Sequence, residues 1–239
     1  MNGKIGLFDS GIGGTTILNE LLKILPNEDY IYYADSKNNP YGEKDDEELY
    51  KITENVVRYL LDNGAKIIVI ACNTATTRCI RHLRKVFPGV IFVGTEPAIK
   101  PACEGDYKNI LMMGTPGTCV SLRTNELIKL YKKEDQNVYL VPCYGLANAI
   151  EFKQKDIQKR IIKEIYQTYK NKNIDCVVLG CTHYPLIKDL ISKYFKNADM
   201  VDGSLGVAKR VKYLLEQDDN LNNEGSGDVI MINSLDNKI

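Results

Sequence analysis

Ile67-Ile68-Val69-Ile70-Ala71-Cys72-Asn73-Thr74-Ala75 is a run of β-branched and aliphatic residues that stops at a cysteine, an asparagine and a threonine. Val177-Val178-Leu179-Gly180-Cys181-Thr182-His183-Tyr184-Pro185 repeats the arrangement in the second half of the chain. Short, continuous apolar runs of this kind read as strands buried on both faces, as in a parallel sheet. Each is followed by a stretch with helical periodicity. Each cysteine therefore falls at a strand-to-helix turn, where unpaired backbone N–H groups and a positive helix end favour thiolate over thiol. Two matched thiols point to proton transfer at a single carbon from both of its faces.

Working outward, strand and helix patterns alternate. Ile5–Phe8 reads as a buried strand and leads into the glycine-rich turn Asp9-Ser10-Gly11-Ile12-Gly13-Gly14. Ile17, Leu18, Leu21, Leu22 and Leu25 mark a helix stopped at Pro26. Tyr30–Ala34 is a second strand, and Leu49, Ile52, Val56, Tyr59 and Leu60 mark a helix closed by Asn63-Gly64. Strands follow at Ile67–Ala71 and Val90–Val93, with a helix between them. The pattern restarts at Ile110–Met113 and continues through a helix near Val120–Tyr131, a strand at Val138–Val141, a helix near Ile157–Tyr169 and a strand at Cys176–Leu179. Repeated βα units imply parallel sheets flanked by helices, an α/β fold.

The spacing from Ile5 to Ile110 nearly equals that from Cys72 to Cys181. Two similar α/β halves are therefore expected, each supplying one cysteine, with the active site in the cleft between them. The expected first domain is residues 1–96 plus 207–239, and the second is residues 97–206. Glu96–Pro101 reads as a crossover, and the helix Val207–Leu215 returns to the first half. Asp218–Gly227 reads as a loop and Val229–Ile232 as a final edge strand.

Composition narrows the function classes. The 239 residues are 44% hydrophobic and 26% charged, the profile of an ordinary soluble globular chain. Lys+Arg and Asp+Glu both number 31, which removes the general electrostatic argument for nucleic acid or an anionic membrane. Seven scattered cysteines fit a reducing cytoplasm with free thiols. Met1-Asn2-Gly3-Lys4 runs straight into a strand, so no signal peptide is expected, and no apolar run approaches a membrane span.

Asp9-Ser10-Gly11-Ile12-Gly13-Gly14 is as much a tight turn as an anion cradle; it is neither a dinucleotide fingerprint nor a P-loop. Asp9 is more telling, because a carboxylate at a strand end occupies the usual ligand position of an open parallel sheet. Pro40-Tyr41-Gly42 is by default a turn. Cys-x-His at Cys181 and His183 opens a metal motif, but nothing completes a ligand set, so no zinc is expected. His82, in a helix with Arg81 and Arg84, reads as a solvated surface residue. Cys79, Cys103, Cys119, Cys143 and Cys176 read as packing residues. The 15 tyrosines are spread along the chain and mark no base-stacking platform.

Taken in order, Asp9-Ser10-Gly11 with Gly13-Gly14, Pro40-Tyr41-Gly42, Ala71–Ala75 and Gly180-Cys181-Thr182-His183-Tyr184-Pro185-Leu186 resemble the bacterial aspartate/glutamate racemase family over nearly the whole chain. The resemblance implies two α/β domains, no cofactor, and Cys72 and Cys181 as paired acid/base thiols interconverting L- and D-glutamate, with D-glutamate supplied for peptidoglycan. Cys72 would take the α-proton of D-glutamate and Cys181 that of L-glutamate. It further implies substrate contacts from Asp9, Ser10, Tyr41, Gly42, Asn73, Thr74, Thr182 and His183. Asp9 and His183 would orient or deprotonate the two thiols, and Glu151 falls where the family often has an auxiliary carboxylate. A cytoplasmic homodimer is expected, with no nucleic-acid or membrane partner. The segment Cys143-Tyr144-Gly145-Leu146-Ala147-Asn148 departs from the family by lacking its proline-rich stretch. Two alternatives stand beside this reading: a sister enzyme acting on aspartate or another α-substituted acid, and a non-catalytic sensor on the same fold.

Overall fold

The computed structural model describes residues 3–236. Met1 and Asn2 lie outside the described residues, so the expected entry from the N-terminus into a strand is described only from Gly3. The chain divides into two compact units, one of Met1–Thr95 with Ser204–Ile239 and one of Glu96–Gly203.

The first unit holds β1 (Lys4–Asp9), β2 (Tyr30–Ala34), β3 (Ala65–Ile70), β4 (Phe92–Gly94) and β9 (Val229–Asn233). They form one sheet in the order β4-β3-β1-β2-β9, and every pairing is parallel. Its helices are α1 (Thr15–Ile24), α2 (Asp46–Asp62), α3 (Asn73–Val86) and α10 (Ser204–Gln217). Strand side chains alternate between faces, so the apolar runs feed two cores at once. Ile5, Leu7, Tyr30, Tyr32, Ile67 and Val69 pack with α1 and α10. Phe8, Ile31, Tyr33, Ile68 and Ile70 pack with α2 and α3. Continuous β-branched runs are what a strand covered on both faces requires.

The second unit repeats the plan. Its strands β5 (Asn109–Gly114), β6 (Asn137–Pro142), β7 (Cys176–Gly180) and β8 (Asp199–Val201) are ordered β6-β5-β7-β8, again all parallel. The helices are α4 (Ile99–Glu104), α5 (Pro116–Val120), α6 (Leu122–Tyr131), α7 (Leu146–Glu151), α8 (Lys155–Tyr169) and α9 (Lys188–Tyr194). Leu111, Met113, Val177 and Leu179 face the core under α7, α8 and α9. Ile110, Met112, Cys176 and Val178 face the core under α4 and α6. The order β8-β7-β5-β6 matches β4-β3-β1-β2 strand for strand, which accounts for the paired spacings in the sequence. The expected α/β architecture of parallel sheets flanked by helices is the one observed.

Three local expectations are corrected. The helix expected near Val120–Tyr131 is α6, which starts only at Leu122; Val120 ends a separate short helix, α5, because Ser121 is extended between them and its hydroxyl caps the N–H of Thr124. The strand expected from Val90 begins at Phe92, since Gly89 turns the chain at φ +89° and the Val90 N–H bonds back to Phe87. The crossover at Glu96–Pro101 contains the start of α4, where Pro101 sits in the first turn and its missing N–H costs nothing.

Candidate active site

In each sheet there is a point at which the chain changes the side on which it adds its next parallel strand. From β1 it passes to β2 on one side and later to β3 on the other; from β5 it passes to β6 and later to β7. Ligands of open α/β sheets bind outside the carboxyl ends of the strands flanking such a point. Cys72 lies just beyond β3 and Cys181 just beyond β7, so each cysteine occupies its unit's reversal point.

In the first unit, Phe8 pairs with Ile70, which brings the end of β1 beside the turn into α3. Cys72 is the N-cap of α3, extended at φ −124° and ψ 121°, and is 4% exposed. Its Sγ receives the Ala75 N–H at 3.5 Å and lies 3.9 Å from the Ser10 hydroxyl. The thiol thus faces both a helix N-terminus and a hydroxyl group. Asp9 is fully buried, and its Oδ2 accepts the Gly14 N–H at 2.9 Å, holding the glycine-rich turn closed. Asp9 therefore stabilises this turn. A Cβ at Gly14 would lie 2.8 Å from the Tyr32 hydroxyl and 2.9 Å from both Ala71 and Asp9 Cβ atoms, so only glycine fits.

Pro40-Tyr41-Gly42 is indeed a turn: Tyr41–Glu43 is a single 3₁₀ turn. Tyr41 is buried in the same core as Cys72, and its hydroxyl donates to Asp35 Oδ2 at 2.7 Å. Burial first, and then the Asp35 carboxylate, push its phenol well above the usual value, so it stays a donor. Gly42 is half-buried. Asn73 donates its amide to the Thr95 carbonyl at 3.2 Å, and Thr74 is buried in the first turn of α3.

In the second unit, Cys181 is 6% exposed and its Sγ lies 3.8 Å from His183 Nδ1. The other ring nitrogen, Nε2, lies 2.9 Å from Glu151 Oε2, with both side chains almost wholly buried. Cys181, His183 and Glu151 form a continuous line of thiol, imidazole and carboxylate, and Thr182 is buried between the first two in sequence. The expected helix directly after Cys181 is not there. Tyr184–Ile187 is a 3₁₀ turn containing Pro185, and the seven-residue α9 starts only at Lys188. The surroundings of the two thiols therefore differ, with a helix N-terminus at Cys72 and a histidine–carboxylate pair at Cys181.

Some participants carried no sequence signal strong enough to single out. Asp35 anchors Tyr41 and accepts both Asn38 amide contacts at 3.0 Å; its position just past β2 parallels that of Asp9 at the end of β1. Thr95 binds Asn73, Thr76 and the Ile70 carbonyl in one network. His82 is not simply solvated: it stacks on Tyr50 at 4.1 Å and meets Glu54 at 2.7 Å. The remaining cysteines are buried as expected, and burial pushes the thiols of Cys79 and Cys176 up to about 12 and that of Cys119 up to about 11. Among the described residues no cluster of three or more His, Cys, Asp or Glu is placed to hold a metal, and no helix is long and apolar enough to cross a membrane.

A family model described as Asp/Glu/Hydantoin racemase matches residues 11–208. A glutamate racemase from Clostridium novyi is 43% identical over 239 residues, covering 98% of this chain and 92% of that protein. The crystal structure of glutamate racemase from Francisella tularensis in complex with D-glutamate has a TM-score of 0.83 at 30% identity, covering 98% of this chain and 88% of that one. The Escherichia coli glutamate racemase solved with L-glutamate and the activator UDP-MurNAc-ala has a TM-score of 0.80 at 26% identity, covering 96% and 98%. With both cysteine turns inside the matched region and the identity extending over almost the full chain, this protein belongs to the Asp/Glu/Hydantoin racemase family.

Proposed function

We propose that the protein interconverts L- and D-glutamate without a cofactor, Cys72 and Cys181 acting as paired base and acid on opposite faces of the α-carbon. The observation that carries this reading is the matched placement of the two thiols, each at the carboxyl-edge reversal point of its own sheet. In one direction the Cys72 thiolate takes the α-proton of D-glutamate, and the C–H electron pair spreads into the adjoining carboxylate. The Cys181 thiol then gives its proton to the opposite face of the carbon. The reverse reaction starts from the Cys181 thiolate and L-glutamate. Ser10, Thr74 and Thr182 hydroxyls, with backbone N–H groups, hold the substrate and the charge that develops on its carboxylate. Asp9 serves the Cys72 side, while His183, backed by Glu151, orients Cys181 and moves its proton. Tyr41, Gly42 and Asn73 complete the substrate contacts. The D-glutamate formed serves peptidoglycan synthesis, and the enzyme works as a cytoplasmic homodimer.

The test is circular dichroism of the purified protein with L-Glu, D-Glu, L-Asp and D-Asp, without cofactor and after dialysis against chelator. Racemisation of both glutamate enantiomers is expected, with aspartate turned over far more slowly. Cys72→Ala and Cys181→Ala should each abolish turnover in both directions. Turnover within a few-fold of the unmodified protein in either variant rules out two-base chemistry, and faster aspartate turnover moves the assignment to the sister activity.

A further inference from the structure

The loop that carries Tyr41 and Gly42 is tied to the helix that begins at Cys72 by one side chain. Arg78 lies four residues after Thr74 in α3, on the same helical face. Its Nη2 donates to the Lys44 carbonyl at 2.7 Å and its Nη1 to the Tyr41 carbonyl at 3.4 Å. Its Nε donates to Asp46 Oδ1, also at 2.7 Å. The guanidinium therefore grips both ends of the Tyr41–Glu43 3₁₀ turn and the first residue of α2. The Tyr41 carbonyl also accepts the Lys44 N–H at 3.4 Å, and the planar fork of guanidinium donors reaches it and the Lys44 carbonyl together. The Arg78 side chain is only 18% exposed, whereas that of Asp46 is 60% exposed. The charged pair is thus largely in water, and the two carbonyl contacts are the protected part of the clamp.

We infer that Arg78 is a positioning residue that fixes the Tyr41–Gly42 turn against the Cys72 helix and so sets the affinity of the site for the amino-acid substrate. The inference rests on the proposed glutamate chemistry for its kinetic expression, but not for the clamp itself. Tyr41 has two anchors, its hydroxyl on Asp35 and its carbonyl under Arg78. With Arg78 removed, the buried ring remains anchored while the turn beyond it, Gly42 included, is released. Substrate binding then has to order the turn, and the cost appears in KM.

The experiment compares Arg78→Met, Arg78→Lys and Asp46→Asn. Arg78→Met should raise KM for both glutamate enantiomers about tenfold, the effect of losing hydrogen bonds from a charged donor, with kcat within a few-fold. Arg78→Lys keeps the charge but not the fork and should fall between Met and the unmodified protein. Asp46→Asn leaves the carbonyl contacts and should move KM less than twofold. Amide hydrogen exchange over residues 41–45 should quicken in Arg78→Met and not in Asp46→Asn. A structural role alone would lower the melting temperature with KM unchanged, and that result overturns the inference. So does a KM shift in Asp46→Asn as large as that in Arg78→Met. If Arg78→Met does not fold, Arg78→Lys and its exchange rates decide. Should the unmodified protein fail to racemise glutamate, the proposed function falls, while the exchange comparison still tests the clamp.

Discussion

His183 stands between a thiol and a carboxylate, with Nδ1 toward Cys181 and Nε2 on Glu151. A buried imidazole in that position moves a proton best when its far nitrogen is held by a full negative charge, which stabilises the imidazolium as it forms. Glu151→Gln retains the size and a hydrogen bond but removes the charge. We expect turnover started at Cys181, from L-glutamate, to lose about tenfold or more in kcat, with a smaller loss from D-glutamate. The equilibrium between enantiomers is fixed, so KM must shift to compensate and kcat/KM falls equally in both directions. Initial rates from each enantiomer, alongside a thermal melt, read this out; equal kcat losses in both directions would leave Glu151 only a structural role. Cys72, Cys181, Asp9 and His183 were legible as residues because each sits at the end of an apolar run. Glu151 was placed only by resemblance, since nothing in Asn148-Ala149-Ile150-Glu151 distinguishes it from a surface carboxylate. Asp35 and Thr95 act through contacts that have no local signature.

At the scale of the element, the turn between β1 and α1 carries the tightest demand. Gly14 N–H closes on Asp9, and the space for a side chain at Gly14 is already taken by Tyr32, Ala71 and Asp9. Ala71 and Asp9 belong to the walls of the proposed site, so they cannot yield without moving Cys72 or the carboxylate. Gly14→Ala is therefore expected to cost about 1–3 kcal/mol of stability through overpacking and to reduce turnover at temperatures where the variant remains folded. Urea unfolding followed by fluorescence, with parallel rate measurements, checks both parts; a variant as stable and active as the parent would show that the turn can relax. The long elements with clear periodicity were readable from sequence. The short helices α7 and α9 and the three-residue strand β8 were not, because such segments show less than two helical turns or two strand repeats.

Across the whole molecule, a set of acidic groups is held neutral by burial. Cys79 and Cys176 are pushed up to about 12 and Cys119 to about 11, chiefly by burial, and Tyr41 and Tyr184 are raised well above the usual phenol value. Folded values above unfolded ones mean that the folded state binds more protons once the unfolded thiols begin to ionise, near pH 8.5. The stability these groups contribute is complete below that pH and is lost as pH climbs toward 11–12. The melting temperature should therefore hold steady from about pH 6 to 8 and decline progressively above about pH 9, read by scanning calorimetry. A melting temperature unchanged through pH 10.5 would contradict it. By itself, the sequence determined the alternation of strand and helix, the parallel α/β class, the repeat of two halves and the two cysteine turns. These follow from local spacing and from side chains that must be buried on both faces of a sheet. Only the tertiary structure decided which side chains each thiol meets: the Ser10 hydroxyl at Cys72, and at Cys181 a histidine backed by Glu151 in place of the expected helix N-terminus. It also brought Arg78 onto the Tyr41 turn. Ser10, Glu151 and the Tyr41 turn come to their partners from distant parts of the chain, and their meeting depends on strand order and register, which no local pattern encodes.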